Sequence, residues 1–486
     1  MNESRYGERG RLWTRRQMLS KASTGFGMVA LSALLADPAY AGPANVSVGA
    51  TPSGGPKPTH FRPRARNVIF LFMDGGVSQV DTFDPKPRLN RENGQPFKMK
   101  VEATQFDAVG NTLASHWGFE RYGESGIPVS DLFPYVGRHA DDLCVIRSIR
   151  TSFPEHAQAC YFVHTGNAIA GWPTMGAWAS YGLGTEAADL PGFIVLNGGA
   201  IPLGGLANYS NGFLPAIHQG SHLYITKPGE VMRNISPLEA KTGLQRRKLD
   251  LISEGDRDFL TALGSDGEMV ESAVKNYELA FAMQHSVPEV SELSRESQAT
   301  RQLYGLDSDN EYTARYGRQC LLARRLVERG VRFVEVTCVS GLRDESPWDQ
   351  HHDLKAGHQR NALAVDQPIA ALLTDLKARG LLEETLVLWA CEFGRTPFAQ
   401  GTDGRDHNPH GFTVWMAGGG IQGGMIHGAT DEYGYHAVED VVTVHDLHAT
   451  ILHVLGLDHE RMTYRYAGRD FRLTDVHGRV VKEIIA

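Results

Sequence analysis

Six side chains of the 486-residue sequence have the chemistry of divalent-cation ligands, and two of them stand where strand signals end. Asp74 closes the apolar run that begins Val68-Ile69-Phe70-Leu71-Phe72. Asp349 and His351 follow in Trp348-Asp349-Gln350-His351, Glu392 closes Leu386–Cys391, and His407 and His410 lie in Asp406-His407-Asn408-Pro409-His410-Gly411. Carboxylate oxygen combined with neutral imidazole suits zinc, manganese or iron better than calcium, so the set implies a centre of one or two divalent ions. Residues two apart diverge on a regular helix, so Asp349 and His351 can share an ion only from a loop or irregular turn. His407 and His410, three apart, occupy a Gly/Pro-containing loop that Pro409 stiffens. His352 and His358 rank below these, because a solvated helix start accounts for them equally well. His445, His448 and His453 fall on a helix, where surface or capping roles are expected.

Alone, an Asp before two glycines reads as a turn former. Asp74 gains weight from Glu392, which holds the same place after a second strand and continues as Phe393-Gly394-Arg395-Thr396-Pro397. An acid and an arginine projecting from one strand end can bind a metal and an anion together. The elements that would position these groups alternate. Short apolar runs at Cys144–Ile146, Phe193–Leu196, Val331–Val336, Leu386–Ala390 and Thr413–Ala417 read as buried strands. Leu363, Ile369, Leu372, Leu373 and Leu376 form a helical stripe that stops near Gly380. A second stripe, Leu447, Ile451, Val454 and Leu455, starts with Thr443 and Asp446 spaced as a capping box and stops at Gly456. The pattern predicts an α/β three-layer sandwich with a mainly parallel sheet, carrying its ligands at the carboxyl edge. Residues 237–330 change to charged amphipathic helices and are expected to form a helical insertion or peripheral helices of the same domain. Leu249, Leu251, Ile252, Phe259 and Leu260 would face inward on one helix, and Met269–Met283 would form its neighbour.

The amino terminus reads as an export address. Arg15 and Arg16 precede the apolar stretch Gly25–Ala36, and Ala39-Tyr40-Ala41 offers small residues for cleavage. This resembles a twin-arginine signal over residues 1–41, with Met18 where Phe is usual, and predicts a periplasmic or secreted protein. The stretch is short for a comfortable membrane span, and its retention would leave a signal anchor. A Gly/Pro/Ser-rich linker over 42–65 follows, with the fold expected to begin near Arg66. The formal charge of the whole chain is −8; without residues 1–41 it carries 42 Lys/Arg against 53 Asp/Glu, or −11, which argues against nucleic acid as partner. Five scattered cysteines, with no short ligand spacing, suit buried apolar positions rather than a disulfide framework.

The Asp74-Gly-Gly strand end, Glu392-Phe-Gly-Arg-Thr-Pro, Gly404-Arg405-Asp406-His407, Ala417-Gly-Gly-Gly-Ile421 and His445-Asp446-Leu447-His448-Ala449-Thr450 together resemble an exported, sulfatase-like family catalogued as domain of unknown function 1501. Through it the chain is similar, more distantly, to the alkaline phosphatase and sulfatase superfamily. That resemblance implies a hydrolase of phosphate or sulfate esters, acting on a small molecule or glycan. It places Asp74 at the early strand-end acid, Asp349 with His351 loosely at a later pair, and His410 before the last core strand. The departures matter. His156, in Phe153-Pro154-Glu155-His156-Ala157, stands where the superfamily nucleophile would fall, and Glu392-Phe393 replaces an Asp-His pair. No Cys or Ser stands with the Pro and Arg of a sulfatase nucleophile, so formylglycine chemistry is not expected. Ser78, Thr151 and Ser152 are hydroxyls out of register. His156, Arg395 and Ser78 are therefore the candidates for chemistry, with His156 either a metal ligand beside an attacking water or a nucleophile. The alternative is a non-catalytic, metal-dependent binder of anionic or sulfated glycans. Gly171-Trp172-Pro173 and Trp178-Ala179-Ser180-Tyr181-Gly182 could line a sugar cleft, or belong to the core.

Overall fold

A computed structural model describes residues 55–486 except 103–105, 107–108, 200, 226–230, 233–234, 237–242, 264–267 and 340–345. The expected signal peptide and the linker to residue 54 lie outside the described residues. Continuous apolar runs make the strands: β1 (Asn67–Phe72), β2 (Leu143–Arg150), β3 (Phe193–Asn197), β4 (Ser221–Tyr224), β5 (Phe333–Thr337) and β6 (Thr385–Ala390), all but β4 buried along nearly their whole length. They are joined by β9 (Phe412–Ala417), β10 (Met425–His427) and β11 (Val442–Thr443) in one nine-stranded sheet. Its order is β10-β2-β9-β6-β1-β5-β3-β4, with β11 also beside β2. β9 alone runs antiparallel to its neighbours. The expected α/β architecture with a mainly parallel sheet is thus the one observed.

Helices cover the sheet. α1 (His156–Thr165) follows β2, and α2 (Met175–Leu183) precedes β3. α3 (Leu244–Leu263) and α4 (Glu268–Ser291) lie in the segment expected to be an insertion. α5 (Glu311–Glu328) packs on both β5 and α6 (Leu354–Ala378). α7 (Val444–Val454) opens with the expected Thr443/Asp446 capping box, and Gly456 follows with φ +79°. No described helix is long and apolar enough to cross a membrane.

Three expectations change. Leu251 is 71% exposed and Ile252 also faces outward, while Ser253 is the buried residue of that turn; the side chains of Phe259, Leu260 and Met269 lie outside the described residues. In α6 the stripe holds except at Leu363, which is 59% exposed because Ala362, Ala364 and Val365 take the core positions around it. Residues 55–65, expected within the linker, are tied down by backbone hydrogen bonds, from Lys57 N–H to the Leu183 carbonyl at 2.7 Å and from Arg64 and Ala65 N–H to the Val454 carbonyl at 2.8 and 2.9 Å. Trp178 is core, stacked edge-on with Tyr181, whereas Trp172 is half-buried against Phe213 and Phe471.

Candidate metal centre

Strand direction decides where the chemistry gathers. The carboxyl ends of β1, β2, β5 and β6 and the amino end of the antiparallel β9 all lie on one edge, so Asp74, His156, Asp349, Glu392 and His407 meet there from distant parts of the chain. Phe393–Pro397 and the first half of the expected loop Asp406–Gly411 contribute to an antiparallel hairpin outside the main sheet, β7 (Gly394–Gln400) with β8 (Gly404–Asn408), while Pro409–Gly411 remain loop. Its register sets His407 opposite Arg395, beyond a register shift between Arg405 and His407. Asp349 and His351 come from an irregular turn before α6, as their two-residue spacing requires.

One oxygen is the focus. The Nε2 atoms of His156, His351 and His407 lie 3.3, 2.9 and 3.3 Å from Asp349 Oδ1. Donors around one ion at about 2.1 Å stand about 3.0–3.4 Å apart, which is this spacing. The opposite ring nitrogens are held by other groups: His156 Nδ1 by Glu392 Oε1 at 2.7 Å, His407 Nδ1 by the Pro154 carbonyl at 2.5 Å, and His351 Nδ1 by the Gln400 side chain. A carbonyl only accepts, so His407 must carry its proton on Nδ1, and burial draws its pKa down to about 3 against the pull of Asp349, keeping the ring neutral. Its Nε2 lone pair therefore faces a carboxylate oxygen, a repulsive contact that a cation between them turns attractive. Histidines oriented by carbonyl or carboxylate at the outer nitrogen are how proteins present imidazole to metals. The donor set fits a divalent ion on this ground.

His156 serves two carboxylates. Burial pulls its pKa down, but Asp349 and Glu392 raise it to about 9, so without an ion its ring is protonated at neutral pH. Asp349 is pushed up by burial yet held well below the usual carboxylate range by the three histidines and Arg395. Phe393 packs at 4.8 Å from the His156 ring and 4.4 Å from that of His407, an apolar wall that strengthens the charges beside it. The half-exposed Phe106 stands edge-on to His351 at 4.7 Å.

A second group lies behind the first. Asp74, Cys160 and Glu392 offer ligand atoms within 4.8 Å of one another. Among the described residues, neither oxygen of Asp74 meets a donor in hydrogen-bond geometry, although the residue is buried and the nearby Ser346 side chain exerts a lowering pull on its pKa. Burial, and then the neighbouring Glu392, push its pKa well above the ordinary value. Glu392 accepts from the Gly75 N–H at 2.9 Å as well as from His156, so it links the two groups. Cys160, read from sequence as a core position, faces the acids because it is one turn along α1 from His156; that i, i+4 spacing was the available clue.

Arg395 reaches the first group from behind, while His410 and Ser78 sit elsewhere. Arg395 is completely buried, and its guanidinium donates to the carbonyls of Gly75, Gly76 and Arg405 and, at 2.6 Å, to Asp349 Oδ1. Those bonds leave it clamping the Gly75–Gly76 loop to β8 and orienting Asp349 rather than free to receive an anion. His410 stays outside both groups, its ring 5.7 Å from Tyr435 and 5.3 Å from His436. Ser78 is fully buried, and its hydroxyl donates to Asp81 at 2.5 Å. Of the two lower-ranked candidates, equally readable as a solvated helix start, His358 is core, accepting the Ser78 N–H at 3.2 Å, and His352 is exposed. His448 is also core, bonded through Nε2 to the Val163 carbonyl at 2.7 Å.

Comparison with known proteins gives a family and a set of distant structures. The family model described as "Protein of unknown function (DUF1501)" matches residues 65–485. No curated protein matches. Similar solved structures include the PsFucS1 sulfatase from Pseudoalteromonas sp., 12% identical over 82% of this chain and 69% of that one with a TM-score of 0.32. The lipoteichoic acid synthase LtaP from Listeria monocytogenes is 10% identical over 83% and 76%, with a TM-score of 0.35. The alkaline phosphatase from the Antarctic bacterium TAB5 is 11% identical over 81% and 99%, with a TM-score of 0.35.

Proposed function

The chain belongs to the DUF1501 family, and from that premise we propose that it is an exported, divalent-metal-dependent hydrolase of phosphate or sulfate esters. The observation that carries the reading is the meeting of three imidazole Nε2 atoms on Asp349 Oδ1, with the outer nitrogen of His407 committed to a backbone carbonyl. Three histidines and a carboxylate form a first ion position; Asp74 and Glu392, with Cys160, form a second. A bound ion of this kind supplies Lewis acidity, polarising an ester oxygen and making water a stronger acid.

The rest is the work of the chain's own groups. Glu392, the Pro154 carbonyl and Gln400 fix the three rings, so each points its free nitrogen at the same place. Arg395 holds Asp349 in register through the Gly75, Gly76 and Arg405 carbonyls. Phe393 excludes water from the back of the site, leaving the Asp349 side chain, 25% exposed, as the face a substrate meets. The twin-arginine address supports export of the folded protein to the periplasm or outside. The commitment of Arg395 to protein carbonyls favours one rival, a metal-dependent binder of anionic glycans without turnover.

Elemental analysis of protein exported by its own signal decides first. One or two equivalents of zinc, manganese or iron are expected, together with release of phosphate or sulfate from aryl monoesters. Metal without turnover would replace the hydrolase by the binder. Folded protein that holds no metal, even after incubation with zinc and manganese, would overturn both.

A further inference from the structure

We infer that the buried Glu335–His164 pair is a positioning device for the metal centre, setting the rotation of α1 and with it His156 and Cys160; this rests on the reading of that centre given above. Glu335 lies in the middle of β5, directly across from Phe70 of β1, four residues before Asp74. His164 Nε2 meets Glu335 Oε1 at 2.9 Å, and its Nδ1 meets the Cys160 carbonyl at 2.7 Å. Both partners accept, so the ring donates from both nitrogens and is an imidazolium facing a carboxylate. Burial works against that charge, but Glu335 and the Cys160 carbonyl raise the ring above its ordinary value.

Stability alone does not account for such a pair. Both residues are buried, and the imidazole is enclosed by Phe70 and Phe72 at 5.7 and 4.6 Å between ring centres. Apolar residues of similar volume would fill the space without the desolvation cost of two charges, and such replacements are often neutral or stabilising. What a directional ion pair adds is a fixed register between two elements. His156, Cys160 and His164 are spaced four apart on α1, so they share one face, and the clamp grips the carbonyl of the middle one. A side-chain tip stands about 5–6 Å from the helix axis, so a 20° rotation of α1 would move it about 2 Å. That is enough to take His156 Nε2 out of reach of an ion shared with Asp349.

The test is the double variant Glu335→Leu with His164→Leu, compared with the wild-type protein by zinc titration and thermal unfolding. The expected result is an unfolding midpoint kept or raised, with zinc affinity weakened about 10- to 100-fold, the usual cost of losing an orienting partner. Zinc affinity within twofold of wild type would overturn the inference. A wild-type protein that binds no zinc would instead strike the metal reading. The positioning claim is then decided in metal-free protein by imidazole 15N shifts, which should show the His156 Nδ1–H bond to Glu392 weakened in the variant and overturn the claim if unchanged. Should the double variant not fold, Glu335→Gln is read in the same two ways, with a smaller weakening expected.

Discussion

Asp74 and Asp81 are seven residues apart, equally buried at the carboxyl edge of the sheet, and opposite in character. Asp81 is satisfied: Ser78 Oγ donates to it at 2.5 Å and Arg405 Nε at 2.8 Å. Burial alone would raise its pKa, yet Arg405, His358 and these hydrogen bonds hold it below the ordinary value. Asp74 has no donor in hydrogen-bond geometry among the described residues, and Glu392 beside it compounds the effect of burial against the weaker pulls of His156 and Ser346. A buried carboxylate with partners is architecture. One without them, next to a second acid and a thiol, marks a place that a cation completes.

The largest effect should come from breaking the satisfied side. Arg405→Leu leaves Asp81 buried and uncompensated, and is expected to cost about 3–5 kcal/mol by denaturant unfolding. A cost below about 1 kcal/mol would mean that Asp81 has other support. On the unsatisfied side, Asp349→Asn removes the oxygen at which the three imidazoles meet; zinc affinity should fall about 100-fold or more while the metal-free fold persists. Unchanged affinity would move the ion away from Asp349. The same substitution applied to the two aspartates should then give opposite signs in metal-free protein. Asp81→Asn is expected to destabilise by about 1–3 kcal/mol, through the lost pairing with Arg405. Asp74→Asn is expected to stabilise by about 1 kcal/mol, because it removes a carboxylate repelled by Glu392 and shielded from water. Equal signs would erase the distinction between the two.

That distinction shows where the sequence was readable. Strand-end position identified Asp74 and Glu392, since a buried parallel strand must deliver its next residue to the sheet edge, and two-residue spacing required the irregular turn at Asp349 and His351. The sheet and the α7 cap were legible because both are written in local periodicity and spacing. What escaped depended on distant partners. Asp406–Gly411 read as a loop, but its first half pairs with β7, and Arg395 in that hairpin donates to four carbonyls, of Gly75, Gly76, Trp348 and Arg405. His358 and His448 looked like surface residues by type, yet each finds a backbone partner in the core. His410 and His407 have like surroundings in sequence; only the register shift between Arg405 and His407 and the Pro154 carbonyl separate one from the other. Polar residues in the interior are specified by the groups that satisfy them, and those lie tens to hundreds of residues away.

The most gradual effect is a pair of slopes in stability against pH, and it extends the comparison to a third buried acid. Asp366 accepts the N–H groups of Tyr135 and Val136 at 2.9 and 2.8 Å, but burial outweighs them and raises its pKa to about 6. Backbone donors with only the through-space pull of Arg138 are thus too little, where the directly bonded Arg405 is enough for Asp81. A raised native value means that the folded protein holds a proton the unfolded chain has released, so Asp366 subtracts stability as pH rises from about 4 to 6. Asp81 does the reverse: its contribution is present above the ordinary value of 3.8 and is lost as pH falls through its depressed native value. Each slope is at most about 1.4 kcal/mol per pH unit for one proton. Subtracting the Asp366→Asn stability profile from that of the wild type should leave a decline between pH 4 and 6, and the Asp81→Asn subtraction a rise through the acid range below it. Two slopes of the same sign would show that a directly bonded cation is not what separates a settled buried acid from an unsettled one.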